Sequence, residues 1–125
     1  MRHLLVTVIL LLIITRPVSG AELFLGQGTM SGEVTTSTAL LQTRLTAATQ
    51  LNASGDLPGA KGVASFQWST SEDFSDANNT PLLNATEDAD FIVRAELTQL
   101  QPGTRYYYRA IYHETDDAAD AQKTG

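Results

Sequence analysis

The 125-residue chain contains no cysteine. Disulfides, thiol nucleophiles, iron–sulfur clusters and cysteine-ligated zinc are therefore excluded. Histidine is nearly as scarce, with only His3 and His113, so a multi-histidine metal site is excluded as well. Charged residues make up 18% of the chain and lean acidic, fourteen Asp and Glu against eight Lys and Arg, for a net charge of −6. A chain with so few cations is poorly equipped to displace counterions from a phosphate backbone, which argues against nucleic acid as a partner. A run long enough to cross a membrane is missing too. Leu4–Ile14 spans 11 residues, where a transmembrane helix needs ~20. What is left is material for one domain, since domains commonly reach ~100–150 residues.

The first twenty residues read as a leader. Met1–His3 is short and basic, Leu4–Ile14 is apolar except for Thr7, and Thr15-Arg16-Pro17 leads into Val18-Ser19-Gly20. Small residues at that point predict a Sec-type signal peptide over residues 1–20, cleaved after Gly20. An uncleaved anchor or a buried N-terminal helix is the alternative. Removal takes Arg2 and Arg16 and none of the acids, leaving 105 residues with a net charge of −8. The expectation is a secreted, periplasmic or cell-envelope protein with no membrane association once the leader is gone. Export without disulfides leans toward a bacterial envelope.

From Glu22 onward the hydrophobic period is two. Phe24–Met30 is a candidate first strand, weakened by Gly26 and Gly28. Ala39, Leu41, Thr43 and Leu45 alternate with Leu40, Gln42 and Arg44 in a second. Leu51–Gly62 carries Asn52, Gly55, Pro58 and Gly59 and reads as a long turn. Ala64, Phe66 and Trp68 then alternate with Ser65, Gln67 and Ser69, an apolar face backed by a polar one expected to meet water. Pro81–Ala85 is a weak edge-strand candidate. Phe91, Val93, Ala95 and Leu97 form one more face, and Thr104–His113 another with Tyr106, Tyr108, Ala110 and Tyr112 pointing inward. Six strand candidates and no helix predict an all-β sandwich of the fibronectin type III or immunoglobulin kind. Its last strand is expected to be cut short, with only Gln122–Gly125 available to begin it, which predicts an open edge on the tyrosine-rich strand and residues 21–125 that are poorly folded or self-associating.

The segment Leu97–Arg109 carries the most specific pattern. Leu100, Pro102, Gly103, Thr104 and Tyr106 resemble the corner between two strands of a fibronectin type III domain. Pro102-Gly103 turns the chain, and the Tyr106 hydroxyl is placed to bond back to the corner backbone. Together with Phe24–Glu33, Leu41-Gln-Thr-Arg-Leu45 and Trp68-Ser-Thr-Ser-Glu-Asp-Phe74, it resembles the N-terminal domain of the PhoD-type alkaline phosphatase and phosphodiesterase family. Met30-Ser31-Gly32 keeps the family's Ser-Gly and Thr43-Arg44-Leu45 its Thr-Arg-Leu triplet, while Gln42 stands where tryptophan is usual. The resemblance implies a metallophosphatase domain downstream of a fibronectin-like domain at 21–125. That downstream domain would use iron and calcium on phosphate ester substrates, and its ligands would lie beyond Gly125. The lone Arg2 departs from the twin-arginine leader of many members.

Within these residues no catalytic, cofactor-binding or metal-binding set is expected. Glu114, Asp116, Asp117 and Asp120 beside His113 read as a solvated loop, without the spacing of a calcium loop. Glu72, Asp73, Asp76, Glu87, Asp88 and Asp90 fall in turns. Ser31 is no nucleophile elbow, and Gly26-Gln-Gly28 has no following helix to cradle phosphate. Asn52, Asn78 and Asn84 begin glycosylation sequons. Arg105, Tyr107, Arg109 and Ile111 should face outward, either to dock the chain's own downstream catalytic domain or simply to pair across strands. The expected function is thus a non-catalytic front domain of an exported phosphatase. The alternatives are the front domain of a purple acid phosphatase-type enzyme, or a free-standing fibronectin-like adhesive or glycan-binding module.

Overall fold

The computed structural model of the chain describes residues 22–114 and 123–124. The leader over 1–20 and the acidic run Asp116–Asp120 lie outside the described residues. Two antiparallel sheets form a β-sandwich. The first joins β1 (Thr29–Gly32), β2 (Ala39–Arg44) and β6 (Ile92–Leu97) in the order β1-β2-β6. The second joins β4 (Asn78–Asn79), β3 (Gly62–Ser69), β7 (Tyr107–His113) and β8 (Lys123–Thr124), with β5 (Leu83–Ala85) also on β3. A 3-10 turn spans Glu87–Ala89.

The core lies where the alternating faces meet. Leu41, Val93 and Leu97 from the first sheet face Ala64, Phe66, Ala110 and Tyr112 from the second, with Leu23 and Leu45 closing the cluster. Phe66 has no exposed surface, and burying such a ring contributes ~1.5–3 kcal/mol.

Three expectations change. The first strand does not run Phe24–Met30. The chain turns there, with the Gly28 N–H donating to the Leu25 carbonyl at 2.9 Å and Gly28 at φ +74°, so pairing with β2 starts only at Thr29. Phe24 instead makes an isolated bridge to Thr46. The last long strand begins at Tyr107, not Thr104, because the corner occupies the residues before it. The polar face of β3 is not open to water: Ser65 is 8% exposed and Ser69 1%. At Ser69 the 70–77 loop folds back, the Ser71 N–H donating to Ser69 Oγ at 3.0 Å, and the Phe74 ring lies 4.1 Å from the Arg109 guanidinium.

The β4–β5 edge also has a local reason. Pro81 lacks an N–H and cannot continue a ladder, so the edge strand breaks. Thr80 bridges the gap, donating its N–H to the Phe66 carbonyl at 2.9 Å while its hydroxyl accepts the Phe66 N–H at 2.8 Å.

Register assigns the two ends of the sandwich. Ala39 sits opposite Leu97, Gly32 opposite Leu40, and Ser69 opposite Tyr107. The loops 33–38, 70–77 and 98–106 therefore share one end. The loops 45–61 and 86–91 lie at the other.

Candidate functional site

The corner occupies the first end. Leaving β6, the chain passes through Gln99 at φ +59° and Gly103 at φ +63°, left-handed conformations that turn it from one sheet toward the other. The Leu100 side chain packs on the core, and its N–H donates to the Ser37 carbonyl at 2.9 Å, tying the corner to the 33–38 loop. The Thr104 hydroxyl donates to the Pro102 carbonyl at 3.2 Å. The Gln101 N–H donates to the Tyr106 hydroxyl at 2.8 Å, so the tyrosine bonds back onto its own corner. The 33–38 loop is held as well: the Thr35 hydroxyl accepts the Thr38 N–H at 3.0 Å, and the Thr35 N–H donates to the Thr38 carbonyl at 2.9 Å.

Two clefts open on either side of Tyr106. One, of about 520 Å³, is lined by Val34, Thr35, Thr36, Leu100–Thr104 and Tyr106. The other, of about 330 Å³, is lined by Trp68, Thr70, Asp76, Asn78, Thr98–Gln101 and Tyr106. Neither contains a Lys, Arg or His, so neither is fitted to hold a phosphate group. Val34 is 69% exposed. Its contribution was missed from the sequence, where the only sign is an isolated valine in a polar loop.

The outward stripe divides. Arg105 is exposed in the corner, whereas Tyr107 and Arg109 are half-buried. Arg109 is occupied within the domain, its Nε donating to Gln67 Oε1 at 2.8 Å and its guanidinium stacked on Phe74. The loop carrying Phe74 is braced by the Ser75 N–H, which donates to Asp73 Oδ1 at 3.0 Å and holds that carboxyl below its ordinary range. Tyr108 lies on the inward-facing side of β7 by alternation, yet it is 36% exposed.

At the opposite end a cleft of about 490 Å³ gathers Lys61, Glu87, Asp88 and Glu114 around Gly62, Val63 and Asn84–Thr86. One lysine among three acids does not make an anion site. Nor do these residues suit the iron and calcium that the resemblance implies: no group of three or more His, Asp or Glu is arranged to hold a metal among the described residues. His113 is 3% exposed, with its Nδ1 buried and without a hydrogen-bond partner among the described residues. The sequon asparagines differ. Asn52 Oδ1 accepts the Ser54 and Asp56 N–H groups at 2.9 Å each, while Asn78 and Asn84 lie exposed on β4 and β5.

The fold has solved counterparts. The structure of PhoD superposes with a TM-score of 0.61 at 23% identity, over 80% of this chain and 18% of that one. The sensor domain of the anti-sigma factor RsgI4 from Pseudobacteroides cellulosolvens superposes at 0.50 and 15% identity, over 87% of this chain and 95% of that one. At these identities the likeness is one of fold. No curated protein matches by sequence. The chain spans less than a fifth of the solved PhoD chain. The profile of the family described as "PhoD-like phosphatase, N-terminal domain" matches residues 15–124, nearly the whole sequence, and the chain belongs to that family.

Proposed function

We propose that residues 21–125 form the non-catalytic front domain of an exported PhoD-like phosphatase or phosphodiesterase, whose hydrolysis of phosphate esters is performed by a metallophosphatase domain further along the chain. The observation that carries this reading is the family match over residues 15–124, together with the small share of the PhoD chain that the sequence spans. Metal-assisted ester hydrolysis needs ligands that fix a metal and leave a position open for water. Neither cleft at the corner end supplies them, and the acids at the opposite end flank Lys61 without a histidine lining the cleft. The domain's own role is to fold, to be exported behind the leader and to pack against its neighbour.

The experiment is a hydrolysis assay on two purified proteins, residues 21–125 and the longer natural chain, with p-nitrophenyl phosphate and its bis ester, with and without iron and calcium. The short protein should give blank rates and the long one turnover. Turnover by the short protein that follows it through gel filtration would overturn the reading, as would an inactive long chain that is folded and metal-loaded.

A further inference from the structure

We propose that the corner end of the sandwich is the surface on which the following metallophosphatase domain docks, centred on the cleft between the 33–38 loop and Tyr106. This rests on the functional reading above.

Four observations lead there. The first is the direction of the chain. β8 runs antiparallel to β7, with Lys123 opposite Tyr112 and Thr124 opposite Ile111. The chain is therefore heading back toward Tyr107 as it leaves Thr124, and four strand residues, ~14 Å, separate Ile111 from the corner. A chain that keeps this course after Thr124 leads a following domain toward this end rather than toward the 45–61 end.

The second observation is the character of the cleft. Its apolar lining is the exposed Val34 and Pro102 with the half-buried Leu100 and Tyr106 between them, and no charged side chain lines it. Glu33 and Arg105 stand just beside it in the chain. An uncharged centre with a charged rim is how domain interfaces are built. The opposite cleft, with Lys61, Glu87, Asp88 and Glu114, has the reverse character.

The third is rigidity. The Leu100 bond to Ser37 and the Gln101 bond to Tyr106 hold both walls before any partner arrives, which reduces the ordering cost of docking. The fourth concerns the rival surface on β7, where Arg109 is already committed to Gln67 and Phe74.

The absence of cysteine from this sequence provides the test. Val34 and Leu51 are matched in exposure at 69% and 66% and sit at opposite ends. In the longer natural chain, Val34→Cys and Leu51→Cys are each treated with an alkylating reagent, and the labelled peptide is followed by mass spectrometry. The Val34→Cys thiol should react roughly tenfold more slowly than the Leu51→Cys thiol, and the two should react alike in urea, where docking is lost. Equal rates in the native chain, or slower labelling at position 51, would overturn the inference while leaving the functional reading intact. A natural chain with no metallophosphatase domain after this one would remove both.

Discussion

Tyr106 is tied to the fold by one oxygen, which accepts the Gln101 N–H at 2.8 Å. That bond lies near the surface, where water can replace part of it, so Tyr106→Phe should cost about 1 kcal/mol in urea unfolding. Tyr107→Phe should cost less, and equal losses would mean that the corner bond contributes nothing specific. Arg109 and Phe74 offer a second measurement. They are 35 positions apart, and a guanidinium over a ring contributes about 0.5–1 kcal/mol at a partly exposed site. A double-mutant cycle with Arg109→Ala and Phe74→Ala should return a coupling of that size, and a cycle that sums to zero would remove the pair from the account. Gly59 is required for another reason. A Cβ there would overlap the Phe91 ring, and Phe91 is itself held at φ +59°, leaving the ring little room to yield. The corner tyrosine was readable from a short local pattern. The Arg109–Phe74 stack was not, because nothing local says that the 70–77 loop folds back under β7.

At the scale of elements, the broken β4–β5 edge depends on a single hydroxyl. Phe66 is fully buried, and its N–H is taken by the Thr80 side chain in place of the ladder that Pro81 interrupts. Thr80→Val keeps the shape and removes the acceptor, so it should cost about 1–3 kcal/mol by chemical denaturation, more than Tyr106→Phe. β7 carries an alkaline pH response. Burial first, and the Glu22 carboxylate second, push the Tyr112 phenol above its ordinary range. The fold thus favours the neutral phenol. That contribution is whole below the unfolded value near ~10 and is lost as pH rises through the higher folded value. Thermal melts should show stability falling at alkaline pH, and Tyr112→Phe should flatten that limb. An unchanged slope would place the alkaline loss elsewhere.

For the whole molecule, the clefts at the two ends differ: at the corner end one is free of charge and its neighbour carries only Asp76, while at the other Lys61 lies among Glu87, Asp88 and Glu114. Between them, β8 pairs with β7 only at Ile111 and Tyr112. Among the described residues no strand covers that edge of β7 from Tyr107 to Ala110, beside the exposed ring of Tyr108. Uncovered edges template pairing with other copies, and a lysine on the edge suppresses it. Residues 21–125 should therefore self-associate in sedimentation experiments, and Tyr108→Lys should reduce the association with little change in melting temperature. A monomeric parent protein would show that the edge is already protected. The acidic surface opposes association only weakly, since at physiological salt the screening length is ~8 Å.

Several features were decided by the sequence itself. The period of two in Ala39–Leu45, Ala64–Ser69 and Phe91–Leu97 set the strands and their inward faces, because alternation leaves one side of each strand able to bury apolar groups. Leu100, Pro102, Gly103, Thr104 and Tyr106 set the corner, because a turn, a cap and a returning hydroxyl are all local chemistry. Only the tertiary structure decided what depends on distant segments meeting. It buried Ser69 at the end of β3, where the loop carrying Phe74 turns back and the Ser71 N–H meets the Ser69 hydroxyl. It moved the first strand to Thr29, because the turn closed by Gly28 ends where β2 offers its partners. It also brought Val34 beside Tyr106, because the hydrogen bond from Leu100 to Ser37 joins two loops more than sixty residues apart, a contact that no local pattern encodes.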